Sequence, residues 1–148
     1  MYLLFIEKIQ KKVIIIYKII LDRVHKRGWN KVKKIKILTD SCSDLPDSIL
    51  EKYDIEMLGT PVHVGEERYK DRMDLKPEKF YKKISEAEVV PKTSRISPAV
   101  FENKFKKAIN NGHKVLSINF SSNLSGIFES AVIAKNNIGS DDIKVIDS

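Results

Sequence analysis

From Ile35 onward the chain repeats one pattern: a short apolar run, a loop of small polar residues, then a stretch with apolar residues at helical spacing. The most informative copy is Val115–Gly126, VLSINFSSNLSG, whose apolar run reads as a buried strand stopping at Phe120. It opens into Ser121, Ser122, Asn123, Leu124, Ser125 and Gly126. A helical pattern follows, carried by Ile127, Phe128, Ala131, Val132, Ala134 and Lys135. In an α/β unit such a loop lies at the carboxyl edge of the sheet, where ligands usually bind. There the free N–H groups of the helix start and three hydroxyls can converge on an anion. Ser125 can equally do no more than cap the helix.

The same shape opens the pattern. Ile35–Thr39 reads as a first buried strand, Ser41–Asp44 as its loop, and Ile49, Leu50 and Tyr53 as the face of a helix. Asp44 fits the helix cap, and Pro46 is tolerated in the first turn, where its missing N–H costs nothing. Two such loops in one domain can face each other across the top of a parallel sheet and frame a ligand crevice.

Between these units, Ile55–Val64 is extended by pattern and carries Pro61. Gly65–Glu67 is a turn signal that returns Arg68–Lys70 as a hairpin strand. A helix is expected over Lys76–Ser85, opened by Pro77. Val89–Ser97 has no period and reads as loop. Ser97–Pro98 starts a helix faced by Phe101, Phe105, Ala108 and Ile109 and ended by Gly112. Gly139–Asp142 is a turn, and Ile143–Ile146 a last strand. Strands alternating with helices predict an α/β fold with a mostly parallel sheet and helices on both faces. The final strand has no helix after it, which leads to the expectation that the reading frame stops before the fold does and a C-terminal half is missing.

Charge changes this picture only at one end. Residues 1–34 hold ten Lys/Arg against two Asp/Glu, and the remainder seventeen against eighteen, so the net charge of +7 belongs to an N-terminal arm. The body has no basic stripe interleaved with aromatics, and nucleic-acid binding is not expected of it. Residues 1–33 form a basic extension whose apolar runs, Tyr2–Ile6 and Val13–Tyr17, are too short to span a membrane. They fit either a solvated extension or an amphipathic segment at a membrane surface. The single Cys42 excludes a disulfide within the chain and fits a reducing, cytoplasmic setting.

Catalytic patterns are missing. There is no phosphate-binding glycine loop and no Asp-x-Asp nucleophile pair, and Ser48 stands where a Cys-x5-Arg phosphatase built on Cys42 needs arginine. Asp40, Asp44, Asp71 and Asp74 suit turns and caps. His63 and His113 lack ligand partners at useful spacing, so neither a metal nor another cofactor is expected.

Five segments together resemble one family. KIKILTDSCSDLP (34–46), RYKDRMDLKPEKFY (68–81), PKTSRISPAVFE (91–102), LSINFSSNLSGIFESA (116–131) and KVIDS (144–148) are similar, in order, to signature elements of the DegV family. The resemblance covers residues 34–148 and only that family's N-terminal domain; the arm has no counterpart. It implies a bacterial protein that binds a long-chain fatty acid and presents its carboxyl group to a partner fatty acid kinase, without being an enzyme itself. By position, Thr93 and Ser125 correspond to the family's carboxyl-binding residues. Ser94, Ser122, Gly126 and the Asp40–Ser41 turn would line the same mouth. The family usually has Gln where Arg95 stands and Gly where Asn123 stands. Arg95 can pair with a carboxylate or phosphate, and Asn123 is expected in a left-handed conformation in place of that Gly. The alternatives are a peripheral membrane protein acting through residues 1–33, and a gene fragment without function.

Overall fold

The computed structural model describes residues 34–86 and 90–148. The expectations for residues 1–33 lie outside the described residues. In chain order the elements are β1 (Ile35–Asp40), α1 (Asp47–Lys52), β2 (Ile55–Leu58), β3 (Pro61–Val64), β4 (Glu67–Lys70), α2 (Pro77–Glu86), β5 (Lys92–Thr93), α3 (Pro98–Asn110), β6 (Lys114–Asn119), α4 (Ile127–Ile138) and β7 (Ile143–Asp147). Strands β2, β1, β6 and β7 pair in that order as a wholly parallel sheet. A second, three-stranded antiparallel sheet runs β4–β3–β5. The α/β class expected from the pattern is therefore the fold observed.

Strand alternation divides the core. Leu38, Val115 and Ile143 point to one face of the parallel sheet. There they meet Phe101 and Phe105 of α3 and Ile127, Ala131 and Ala134 of α4. Ile37, Ile55 and Ile118 point to the other face, against Leu45 and the half-buried Ile49, Leu50 and Tyr53 in and beside α1. Small residues at 131 and 134 let α4 approach the sheet closely, and the two phenylalanine rings of α3 fill the space beside it, 5.7 Å apart.

Three departures from the sequence pattern have local causes. Ile55–Val64 is not one strand but two, divided at Gly59–Thr60, so that β2 stays in the parallel sheet while β3 joins the small one. Glycine is needed at the break: a β-carbon at Gly59 would lie 2.8 Å from the Asp71 carbonyl oxygen. The expected loop over Val89–Ser97 contains the short strand β5, because β3 offers an open edge to which Lys92 and Thr93 add. Asp44 does not cap α1. It ends a 3-10 turn, Ser41–Ser43, in a left-handed conformation that aspartate tolerates, and α1 begins after Pro46.

The end of α3 follows the sequence closely. Gly112 adopts φ 79°, its N–H bonds the Ile109 carbonyl, and the His113 N–H bonds the Ala108 carbonyl, the paired bonds of a glycine-terminated helix. Because Phe105 is completely buried on this helix, Phe105→Ala should lower the unfolding free energy by about 3–5 kcal/mol. Ile133→Ala, at a position 43% exposed on α4, should change it by about 0.5 kcal/mol or less. Urea unfolding of both variants measures the difference.

Candidate functional site

The parallel sheet brings the ends of β1 and β6 side by side, and one side chain ties them. Asp40, the last residue of β1, is fully buried. One of its carboxylate oxygens accepts the Cys42 N–H at 3.1 Å, and the other accepts the Phe120 N–H at 2.8 Å. Burial pushes the Asp40 carboxyl above the usual carboxylate range, opposed by these two N–H groups and by the Asn119 side chain. Its neighbour Ser41 is also buried, and its hydroxyl donates to Thr60 Oγ1 at 3.1 Å while accepting the Thr60 N–H at 3.0 Å. No local pattern in the sequence marks Thr60, and only the break at Gly59 hints that the chain turns back there. Cys42 Sγ lies 3.5 Å from the same threonine hydroxyl, and burial pushes its thiol up to about 11. It is a poorly ionised packing residue.

The loop from Phe120 to Gly126 is pinned at both ends and leaves its last hydroxyl unused. The Ser121 carbonyl accepts the N–H groups of Leu124 and Ser125 at 2.9 and 3.0 Å. Ser122 is engaged by the tip of β7: its N–H and its hydroxyl both donate to the Asp147 carboxylate, at 2.8 and 2.5 Å. Those two bonds hold the Asp147 carboxyl below the ordinary aspartate value. Asn123 does not take the left-handed conformation expected of it, since the described non-glycine residues with positive φ are Asp44, Asp54 and Arg72. Nor does Ser125 cap α4. Gly126 holds the cap position without a side-chain bond, and Ser130 Oγ donates back to the Gly126 carbonyl at 3.0 Å. The half-buried Ser125 hydroxyl makes no hydrogen bond among the described residues, and Leu124 beside it is 72% exposed.

A second loop reaches the same place from the small sheet. Thr93 pairs with Val62 across β5 and β3, and the Ser94 N–H bonds the Pro61 carbonyl at 3.0 Å. Ser94 Oγ lies 3.4 Å from His63 Nε2. Thr93, Ser94 and Arg95 are exposed, and Thr93 and Arg95 have no side-chain hydrogen bond or ion pair among the described residues. Arg95 crosses to the other loop: its Cδ is 3.2 Å from where a β-carbon on Gly126 would sit. The segments around Thr93 and Ser125 therefore meet through Arg95 and Gly126. Of the predicted mouth residues, the side chains of Asp40, Ser41 and Ser122 are committed to bonds within the protein, whereas those of Thr93 and Ser125 make none among the described residues, and Gly126 lies under the Arg95 side chain. A groove of about 260 Å3 lined by Tyr69, Leu75, Lys79, Lys82, Lys83 and Glu86 shares no residue with these loops. Among the described residues no helix is long and apolar enough to cross a membrane.

Residues 34–148, the whole of the segment containing this geometry, match the family model described as uncharacterised protein, DegV family. The chain belongs to the DegV family. A DegV domain-containing protein of Clostridium perfringens is 44% identical over 115 residues, covering 78% of this chain and 41% of that protein. A fatty acid-binding protein of Thermotoga maritima is 40% identical over 109 residues, 71% of this chain and 38% of its own length. The crystal structure of a stearic acid-binding protein from Eubacterium ventriosum superposes with a TM-score of 0.70 at 28% identity, covering 76% of this chain and 41% of that one. This DegV chain thus spans about two fifths of the length of these relatives.

The Ser122–Asp147 bonds set a pH dependence. A carboxyl held below its unfolded value contributes stability that is present above the ordinary aspartate pKa and is lost as pH falls through the lowered one. Carboxyl-carbon NMR should find the Asp147 titration midpoint below the ordinary aspartate range. Ser122→Ala should raise that midpoint and reduce the loss of stability below it.

Proposed function

We propose that this DegV chain carries the head-group side of a long-chain fatty-acid site and that the lipid is presented to a partner fatty acid kinase. The chain itself is not catalytic. The carboxylate is received by the hydroxyls of Thr93 and Ser125 and by the N–H groups at the open start of α4. Ser94 and Gly126 line the mouth around it. Asp40, Ser41 and Ser122, whose side chains are already bonded within the protein, shape the mouth from behind. The observation that supports this reading best is the meeting of the two loops at Arg95 and Gly126, which brings the segments that carry the two unpartnered hydroxyls together at an uncapped helix start. The fatty-acid-binding relatives and structural neighbours point to the same ligand class.

The energetics divide between tail and head. A buried acyl chain contributes roughly 0.8 kcal/mol for each methylene removed from water. Charge-assisted hydrogen bonds add roughly 1.5–3 kcal/mol each and fix direction. Leu124, exposed next to Ser125, offers the first apolar contact below the carboxyl group. The single free cysteine suits a cytoplasmic site of action, where a nucleotide-dependent kinase would work.

Mass spectrometry of gently isolated protein should find a co-purifying long-chain acid. The Thr93→Ala/Ser125→Ala double variant should fold, show the same cooperative melt, and carry about tenfold less lipid. A folded wild-type sample that carries no fatty acid and takes up none from solution overturns the reading.

A further inference from the structure

We infer that Arg95 makes this mouth select the ionised head group of its lipid, an inference that rests on the fatty-acid reading above. The first ground is steric. Gly126 has φ −77° and ψ 18°, a conformation open to any residue, so the backbone does not call for glycine there. What the missing side chain provides is room for Arg95, whose Cδ and Nη1 would lie 3.2 and 3.4 Å from a β-carbon at that position.

The second ground is electrostatic. The start of a helix carries partial positive charge from its unbonded N–H groups, and a cation laid across it is unfavourable. Arg95 lies there without an ion pair or hydrogen bond to any described residue. Glu129, in the first turn of α4, is the acidic group on that helix nearest the spot, with Oε2 3.8 Å from the same β-carbon position. It forms no ion pair with Arg95. A guanidinium placed against a helix start, where two segments that each carry an unpartnered hydroxyl meet, is a set of donors lacking its anion. An ionised carboxylate relieves the repulsion and can take two parallel N–H bonds from the guanidinium plane. A neutral alcohol or ester can use the hydroxyls but gains nothing comparable from a group that only donates. Glu129 works against the bound anion, so its charge should weaken binding.

Equilibrium dialysis of the full chain with radiolabelled oleate and with oleyl alcohol at pH 8 tests this. Wild-type protein should prefer oleate. Arg95→Gln should weaken oleate binding by about three- to tenfold and leave oleyl alcohol unchanged. Arg95→Lys should recover part of the loss, and Glu129→Gln should tighten oleate binding. Because Arg95 is exposed, its variants should melt as the wild type does. If wild-type protein takes up oleate and Arg95→Gln shifts both ligands equally, or neither, Arg95 does not select the head group while the fatty-acid reading stands. If folded wild-type protein takes up neither ligand, both fall.

Discussion

A buried carboxylate holds the loop-bearing edge of the parallel sheet in place. Asp40 ends β1 out of contact with water, and its two oxygens take the N–H of Cys42 in its own turn and the N–H of Phe120 at the end of β6. Moving a charged carboxylate out of water is costly, and the raised pKa of Asp40 records that cost. The two N–H bonds offset part of it, and in doing so they fix where both loops leave the sheet. A parallel pair alone sets strand register but leaves the next residues free to diverge. Here the chain after β6 must begin its loop against the turn after β1. Asn119, whose side-chain oxygen accepts the Ser117 hydroxyl at 2.8 Å, stiffens the last residues of β6 below that junction.

With the loop origins fixed, packing sorts a run of chemically similar hydroxyls into two groups. Ser41 is used up by Thr60, Ser122 by Asp147, and Ser130 by the Gly126 carbonyl. The first two of these bonds tie one segment to another, and the third closes the first turn of α4. Thr93 and Ser125 are left over, one on each of the two segments that Arg95 joins. The division is what an anion site requires: rigid surroundings supplied by satisfied groups, and donors kept free of internal partners. A loop in which every serine found a partner would be equally stable and unable to receive a ligand.

The same sorting explains how far the sequence could be read. The strands at 35–40 and 114–119, the helices at 98–110 and 127–138, and the glycine stop after α3 follow from apolar period and local chemistry, and these were legible. The split of Ile55–Val64 was not, because a period of two is preserved while the strand changes sheets; only Gly59, needed where the chain passes the Asp71 carbonyl, marks the place. Strand β5 owes its existence to the open edge of β3 and has almost no pattern of its own. Asp44 and Ser125 both fit helix caps by sequence, yet Asp44 closes a 3-10 turn and the Ser125 hydroxyl bonds nothing among the described residues. Motif resemblance singled out Thr93, Ser125 and the residues around them. Which of those hydroxyls are spoken for depends on Thr60 and Asp147, partners 19 and 25 residues away, and no local signal carries that information.

On the proposed reading, tail and head of the lipid are governed by different parts of the protein, and that separation has a consequence for variation. Methylene burial depends on apolar walls and tolerates many side chains of similar size. The mouth depends on a few donors at fixed positions, where one substitution alters the charge presented to the ligand. Arg95 sits in the second category: it is exposed, bears little on the core, and lies against a glycine that leaves it space. A change at this one position can therefore retune which head group is admitted while the fold and the grip on the chain stay as they are. The helix start behind it contributes partial positive charge whatever residue stands at 95, so such retuning works on top of a constant electrostatic background. On that reading Thr93 and Ser125 set where the carboxylate sits, and residue 95 sets how strongly charge is demanded of it.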